Sequence, residues 1–116
     1  MKLIATALAA ALTLGVGMSG AHAQSEPLVG NWRAETGNVV KVSRCGGGYC
    51  ATIVTGENKG KQIGRLSGSG GKYSGTVTDP NSGKTYNGSA TVNGASLKLT
   101  GCALKIFCKT QTWSRI

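Results

Sequence analysis

Four cysteines lie in two close pairs along this 116-residue chain, and their spacing implies the clearest chemistry in the sequence. An even number of cysteines in a short exported chain is typical of disulfides, and four cysteines allow three pairings. Cys45 and Cys50 flank a glycine-rich segment that we interpret as a hairpin loop, so we favour the pairings Cys45–Cys50 and Cys102–Cys108. The alternative is a four-thiolate zinc site. Its spacing is loose, and an oxidising compartment disfavours it, so no metal is expected.

Residues suited to catalysis are scarce. The only histidine, His22, lies in an N-terminal segment that we expect to be removed, so no Ser–His or Cys–His nucleophile is expected in the remainder. The four acidic residues form no pair that is placed for general acid–base work. Gly83-Lys84-Thr85 is similar to the tail of a phosphate-binding loop, but Thr78 stands where that loop needs a glycine. The sequence therefore predicts a protein that is not an enzyme and holds no cofactor.

The first 23 residues have the three-part pattern of a secretory signal peptide. Met1-Lys2 gives a short positive start, Leu3 to Val16 is almost wholly apolar, and Ala21-His22-Ala23 is a small-x-small cleavage site. The alternative, a membrane-spanning helix, needs about 20 apolar residues, and this run is shorter and is followed by glycines. We therefore predict a signal peptide over residues 1–23 and a single mature domain over residues 24–116. The product is expected to be periplasmic or secreted, with no membrane span.

The mature domain is strongly basic. Removal of 23 of the 116 residues leaves 93, and removal of one of the 13 basic residues leaves 12 against four acidic ones, a formal charge of +8. Such a charge attracts anionic partners, so an anionic envelope component is a candidate partner, and a merely solvated surface is the alternative. The stretch from Lys59 to Lys72 is basic but contains no aromatic residue on which bases would stack, so nucleic acid is not expected.

The mature part is organised in short β-rich runs separated by Gly, Asn, Asp and Pro. Eight such runs joined by tight turns predict an all-β fold, a small up-and-down eight-stranded antiparallel barrel, with an open sandwich as the alternative. Small residues at expected inward positions, Gly75, Gly88 and Ala90, either leave space inside or mark bends. The predicted strands cover residues 29–34, 39–44, 49–55, 61–67, 72–78, 84–92, 96–99 and 110–116.

Four motifs, in this order, resemble a bacterial exported family, domain of unknown function 2147 (DUF2147). They are Gly30-Asn31-Trp32, Cys45 to Cys50, Asp79 to Tyr86 and Thr110 to Arg115, and together they span nearly all of the mature chain. The resemblance implies a lipocalin-like (calycin) barrel and no established activity.

The resemblance also implies how one end of the barrel is closed. Arg115 near the last strand is expected to pack over Trp32 of the first, in a cation–π contact at the barrel base. Gly30 and Trp113 belong to the same closing motifs. The chain departs from the family over residues 56–65, where relatives carry a longer segment that contains proline. This short basic segment is expected to line or cover the barrel mouth.

The function that we predict is binding of a small amphipathic or anionic ligand in the barrel mouth. The expected contacts are Tyr49, Tyr73 and Tyr86, with Lys61 or Arg65 at the rim, and plain core packing is the alternative role of the tyrosines. A second hypothesis is an envelope interaction protein that binds an anionic polymer or a protein partner through its basic outer surface. An inhibitor of lysozyme ranks lower, because most lysozymes are basic and two positive partners repel.

Overall fold

A computed structural model describes residues 26–103 and 107–116, and they form a closed antiparallel barrel in which each strand pairs with the next. The last strand pairs with the first, so the predicted all-β, up-and-down barrel is confirmed and the open sandwich is excluded. The predicted signal peptide lies outside the described residues. The strands are β1 (Gly30–Arg33), β2 (Val39–Cys45), β3 (Gly48–Ile53), β4 (Gln62–Ser69), β5 (Lys72–Thr78), β6 (Thr85–Asn93), β7 (Ser96–Ala103) and β8 (Phe107–Arg115).

The last two strands are longer than the sequence pattern predicts. Their pairing runs without interruption from Ser96 opposite Ser114 to Ala103 opposite Phe107. The Asn93-Gly94 turn before them is tight, and Gly94 takes a φ of 63°, which favours glycine. The β7–β8 hairpin therefore extends to the end of the barrel that carries the β1–β2, β3–β4 and β5–β6 loops.

The apolar core fills the opposite end of the barrel, where the chain enters and the β2–β3, β4–β5 and β6–β7 turns lie. The largest fully buried side chains are Trp32, Leu28, Leu97 and Val40. Burial of these side chains is the main favourable contribution to folding, at about 25 cal/mol for each Å² of apolar surface removed from water. We call this end of the barrel the closed end and the other end the mouth.

Arg115 and Trp32 close the base of the barrel. The Arg115 guanidinium lies 4.2 Å from the centre of the Trp32 ring, as the family resemblance implies. It also donates hydrogen bonds to the Val29 carbonyl, at 3.1 Å, and to the Pro27 carbonyl. The Trp32 indole N–H donates to the Leu28 carbonyl at 3.0 Å. The entering segment is thus fixed under the barrel by the first and last strands together.

The inward-facing glycines allow neighbouring groups to pack closely against the backbone, and they do not leave open space. A Cβ on Gly88 or on Gly101 would lie 2.8 or 2.9 Å from the methyl groups of Val77, and a Cβ on Gly75 would collide with the Arg65 carbonyl. Gly75, Gly88 and Gly101 stand opposite one another on β5, β6 and β7, so three neighbouring strands are curved at the same level. The space above this level is what remains for a cavity.

One cysteine pair lies at each end of the barrel. Cys45 and Cys50 are bonded across the β2–β3 turn at the closed end, and Cys102 and Cys108 are bonded directly across β7 and β8 near the mouth. Each bond restrains one hairpin, which is valuable in a domain of this size. No helix within the described ranges has the length and hydropathy that crossing a membrane requires.

Candidate functional site

The mouth half of the barrel contains a cavity of about 510 Å³. Pockets that bind small molecules are typically about 300–1,000 Å³, so the volume suits a small ligand. The cavity exists because the large buried side chains are concentrated at the closed end. Its inner wall is apolar and is formed mainly by Val40, Ile53, Ile63, Val77 and Leu99.

A β-bulge contributes to this wall. The register between β3 and β4 shifts between Ala51 and Thr52, so that Gly64 pairs with Ala51 while Gln62 pairs with Thr52. The extra residue, Ile63, is half-buried against the core and lines the cavity. Bulges redirect side chains in this manner, and here the result is one more apolar group in the wall.

The strand β8 supplies one complete side of the cavity. Successive strand residues point to opposite faces, so every second residue of β8 faces inward. The inward residues change from exposed at the mouth to buried inside: Phe107 is 66% exposed and Trp113 only 4%. Four of the five inward residues line the cavity, namely Phe107, Lys109, Gln111 and Trp113, and the fifth, Arg115, lies at the closed end.

The orientation of the Gln111 amide is fixed by its neighbour. The Trp113 indole N–H can only donate, and it donates to Gln111 Oε1 at 2.8 Å. The NH₂ end of the amide must therefore point away from Trp113, and it has no hydrogen-bond partner among residues 26–103 and 107–116. The cavity wall thus presents one oriented hydrogen-bond donor among apolar groups.

Two loops are bridged at the rim of the mouth. The Asn58 side chain donates to Asn81 Oδ1 at 3.2 Å, and Lys61 Nζ donates to the Pro80 carbonyl at 3.0 Å. These contacts join the β3–β4 loop to the β5–β6 loop. Because Asn58, Pro80 and Asn81 all line the cavity, the bridge forms part of its rim.

The carboxylate of Asp79, also at the rim, is engaged by its own turn. It accepts hydrogen bonds from the Asn81 N–H at 2.8 Å and the Ser82 N–H at 3.4 Å. These two backbone bonds lower the pKa of Asp79, and the nearby positive charge of Lys109 lowers it further. Asp79 therefore stabilises the turn in its ionised form.

The five residues predicted to contact a ligand are distributed over the whole barrel. Tyr86 lines the cavity, and Lys61 lies at the rim through its bond to Pro80. Tyr49 and Tyr73 are buried in the core, with ring centres 5.5 Å apart in an edge-to-face arrangement. Both therefore have the alternative role given above, which is core packing, and they lie at the closed end with the other large side chains.

Arg65 also lies away from the mouth. It is exposed on the outer surface, with Nη1 at 3.6 Å from Cys45 Sγ and 3.5 Å from Cys50 Sγ. Its strand position explains this, because Arg65 pairs with Cys50 and Thr76, whose side chains face outward. The expectation of Arg65 at the rim is therefore replaced by a contact with the disulfide of the closed end.

Sequence reasoning missed Phe107, Lys109 and Gln111 as cavity residues. The sequence pattern predicts that the eighth strand begins at Thr110, so it assigns no face to residues 107–109. Counting back from Trp113 in steps of two would have placed all three on its face. Within the described residues, no group of three or more His, Cys, Asp or Glu side chains is placed to hold a metal ion.

Comparison with protein-family models gives a match over most of the chain. The family model described as "Uncharacterized protein conserved in bacteria (DUF2147)" matches residues 30–115. This range includes all eight strands, the base closure and the whole of the inward face of β8. No curated protein and no solved structure matches the chain significantly.

Proposed function

This chain belongs to the DUF2147 family of bacterial proteins, and on that premise we propose that it is a non-catalytic binding protein which holds a small amphipathic ligand in the mouth half of its barrel. The observation that carries the proposal is the cavity of about 510 Å³ with an apolar inner wall and a polar rim. Binding pockets for small molecules have this composition, with a few polar groups that fix orientation.

A non-catalytic role is supported by the residues that remain after the predicted cleavage. Residues 24–116 contain no histidine, and all four cysteines are held in disulfides. The acidic residue at the rim, Asp79, is hydrogen-bonded to backbone amides of its turn. A carboxylate that is held in this way is better suited to shaping a loop than to transferring protons.

We also propose that the protein is exported and works in the periplasm or outside the cell. Both cysteine pairs lie at disulfide distance, which fits an oxidising compartment. The sequence pattern over residues 1–23 supports export. N-terminal sequencing of protein recovered from the periplasm is expected to start at Gln24, and protein that is retained in the cytoplasm and starts at Met1 would refute this proposal.

The binding proposal can be tested with the neutral fluorophore N-phenyl-1-naphthylamine, whose emission rises in apolar surroundings. We expect saturable binding of about one molecule per chain. Leu99→Trp places a larger side chain in the cavity wall and is expected to abolish that binding, while Ser89→Trp on the exposed outer side of β6 leaves it unchanged. Urea unfolding of both variants shows whether they remain folded.

The same pair of variants separates the cavity from the basic outer surface. Neither substitution alters the net charge, so retention on an anionic polymer such as heparin is expected to be equal for both variants. Loss of fluorophore binding in Leu99→Trp alone supports the cavity. Equal fluorophore binding in a folded Leu99→Trp variant would contradict the proposal.

A further inference from the structure

Lys109 stands near the mouth on the inward face of β8, and the other charged residue of that face, Arg115, is engaged at the closed end. It lies on β8 directly opposite Gly101 of β7, so no side chain from the neighbouring strand occupies the space beside it. Lys109 lines the cavity and makes no ion pair within residues 26–103 and 107–116. Lys109 is exposed at the mouth but stands on the inward face of its strand, whereas Lys98 stands on the outward face of β7.

A second donor lies two residues further into the barrel. Gln111 is on the same inward face of β8, about 7 Å along the strand from Lys109. Its carbonyl oxygen is used by the Trp113 indole, so the amide can offer only its NH₂ group to a ligand. An ammonium group and an amide NH₂ on one face provide donors for two oxygen atoms and no acceptor.

The negative charge of Asp79 at the rim is near Lys109 and offsets part of its positive charge. Its Oδ1 already accepts the N–H groups of Asn81 and Ser82, and no ion pair joins Asp79 to Lys109 among the described residues. The second rim lysine, Lys61, adds positive charge where it donates to the Pro80 carbonyl. The mouth thus carries the two positive charges of Lys61 and Lys109 against the one negative charge of Asp79, above an apolar wall.

We propose that the ligand is a single-chain carboxylate amphiphile, whose carboxylate is bound by Lys109 and the Gln111 amide and whose apolar chain lies against the inner wall. This inference rests on the proposed function, since it names the chemistry of the ligand in the same cavity. The exposed Phe107 ring stands at the mouth beside the path that such a chain takes on entry.

The test is displacement of N-phenyl-1-naphthylamine by three ten-carbon compounds, each at concentrations at which it is monomeric in solution: decanoate, 1-decanol and decyltrimethylammonium. We expect decanoate to bind about tenfold more tightly than decanol, as one charge-assisted hydrogen bond provides. Lys109→Gln is expected to lose about that tenfold preference. Lys98→Gln is the matched control, because it removes the same charge from the outer surface and is expected to keep the preference.

Gln111→Glu provides an independent test. Glutamate still accepts the Trp113 N–H, but it replaces the free donor by a negative charge, so decanoate binding is expected to fall by at least tenfold while decanol binding persists. Equal affinity of the three compounds, or equal effects of Lys109→Gln and Lys98→Gln, would overturn the head-group assignment and leave the cavity proposal standing. Failure of the fluorophore and all three compounds to bind would refute both.

Discussion

Replacement of Arg115 by methionine tests the closure of the barrel base, because methionine keeps the apolar stem and removes the guanidinium. The change deletes hydrogen bonds to two carbonyls, those of Val29 and Pro27, and the contact with the Trp32 ring. Hydrogen bonds from charged groups contribute about 1.5–3 kcal/mol each, and a cation–π contact about 1 kcal/mol. These contributions are not additive, and water reaches this end of the barrel, so we expect the free energy of unfolding to fall by about 3 kcal/mol.

Urea unfolding measures this loss. Native domains are stable by about 5–15 kcal/mol, so Arg115→Met should clearly lower the urea concentration at the unfolding midpoint. The dependence of the unfolding free energy on urea concentration should stay unchanged. The thermal midpoint should fall by about 12 °C or more. Arg33→Met is the control: Arg33 is exposed and donates one hydrogen bond, to the Gly37 carbonyl, so its removal should cost less than about 1 kcal/mol.

The result that refutes this reasoning is a loss below about 1 kcal/mol for Arg115→Met, or equal losses for Arg115→Met and Arg33→Met. Arg115→Lys separates charge from geometry, because lysine keeps the charge but lacks the planar fork that reaches two carbonyls. It should recover only part of the lost stability. Affinity for the fluorophore should stay unchanged in folded Arg115→Met, because the cavity lies at the other end of the barrel.

Three further outcomes are expected. Gly101→Ala should lower the free energy of unfolding by about 1–3 kcal/mol, because the new methyl group overpacks against Val77. Adding Val77→Ala to the same chain should recover part of that loss, and additive losses of the two substitutions would contradict the packing. Removal of both Cys102 and Cys108 should cost about 2 kcal/mol and weaken decanoate binding, whereas loss of the other disulfide should leave affinity unchanged. Because folding lowers the pKa of Asp79, its ionised form stabilises the fold above its ordinary pKa. The stability gap to Asp79→Asn should therefore shrink below about pH 4, and a pH-independent gap in urea midpoints would disagree.

The barrel could be predicted from the sequence because its strands carry local signals. Alternating side chains and turn residues such as Asn93-Gly94 identify the strands and their connections, and eight strands of this length commonly close. Strand ends were less predictable. The β7–β8 hairpin extends through Gly101 and Ala103, residues whose weak strand preference is overridden by continuous pairing and by the Cys102–Cys108 disulfide.

The residues that line the cavity were less predictable than the fold. Alternation along the strands predicts that the three tyrosines face inward, but it does not predict their height along the barrel axis. Height decides whether a residue lies in the core, as Tyr49 and Tyr73 do, or in the cavity wall, as Tyr86 does. It depends on the stagger between strands, including the bulge at Ile63, and stagger is a property of the closed sheet.

Native mass spectrometry of the purified protein tests the central claim most directly, which is that the mouth half of the barrel holds one amphipathic molecule. With decanoate added, we expect one bound molecule per chain, lost on denaturation and absent from a folded Leu99→Trp variant. A native mass without any bound molecule at saturating decanoate, or an equal adduct on Leu99→Trp, would contradict the claim.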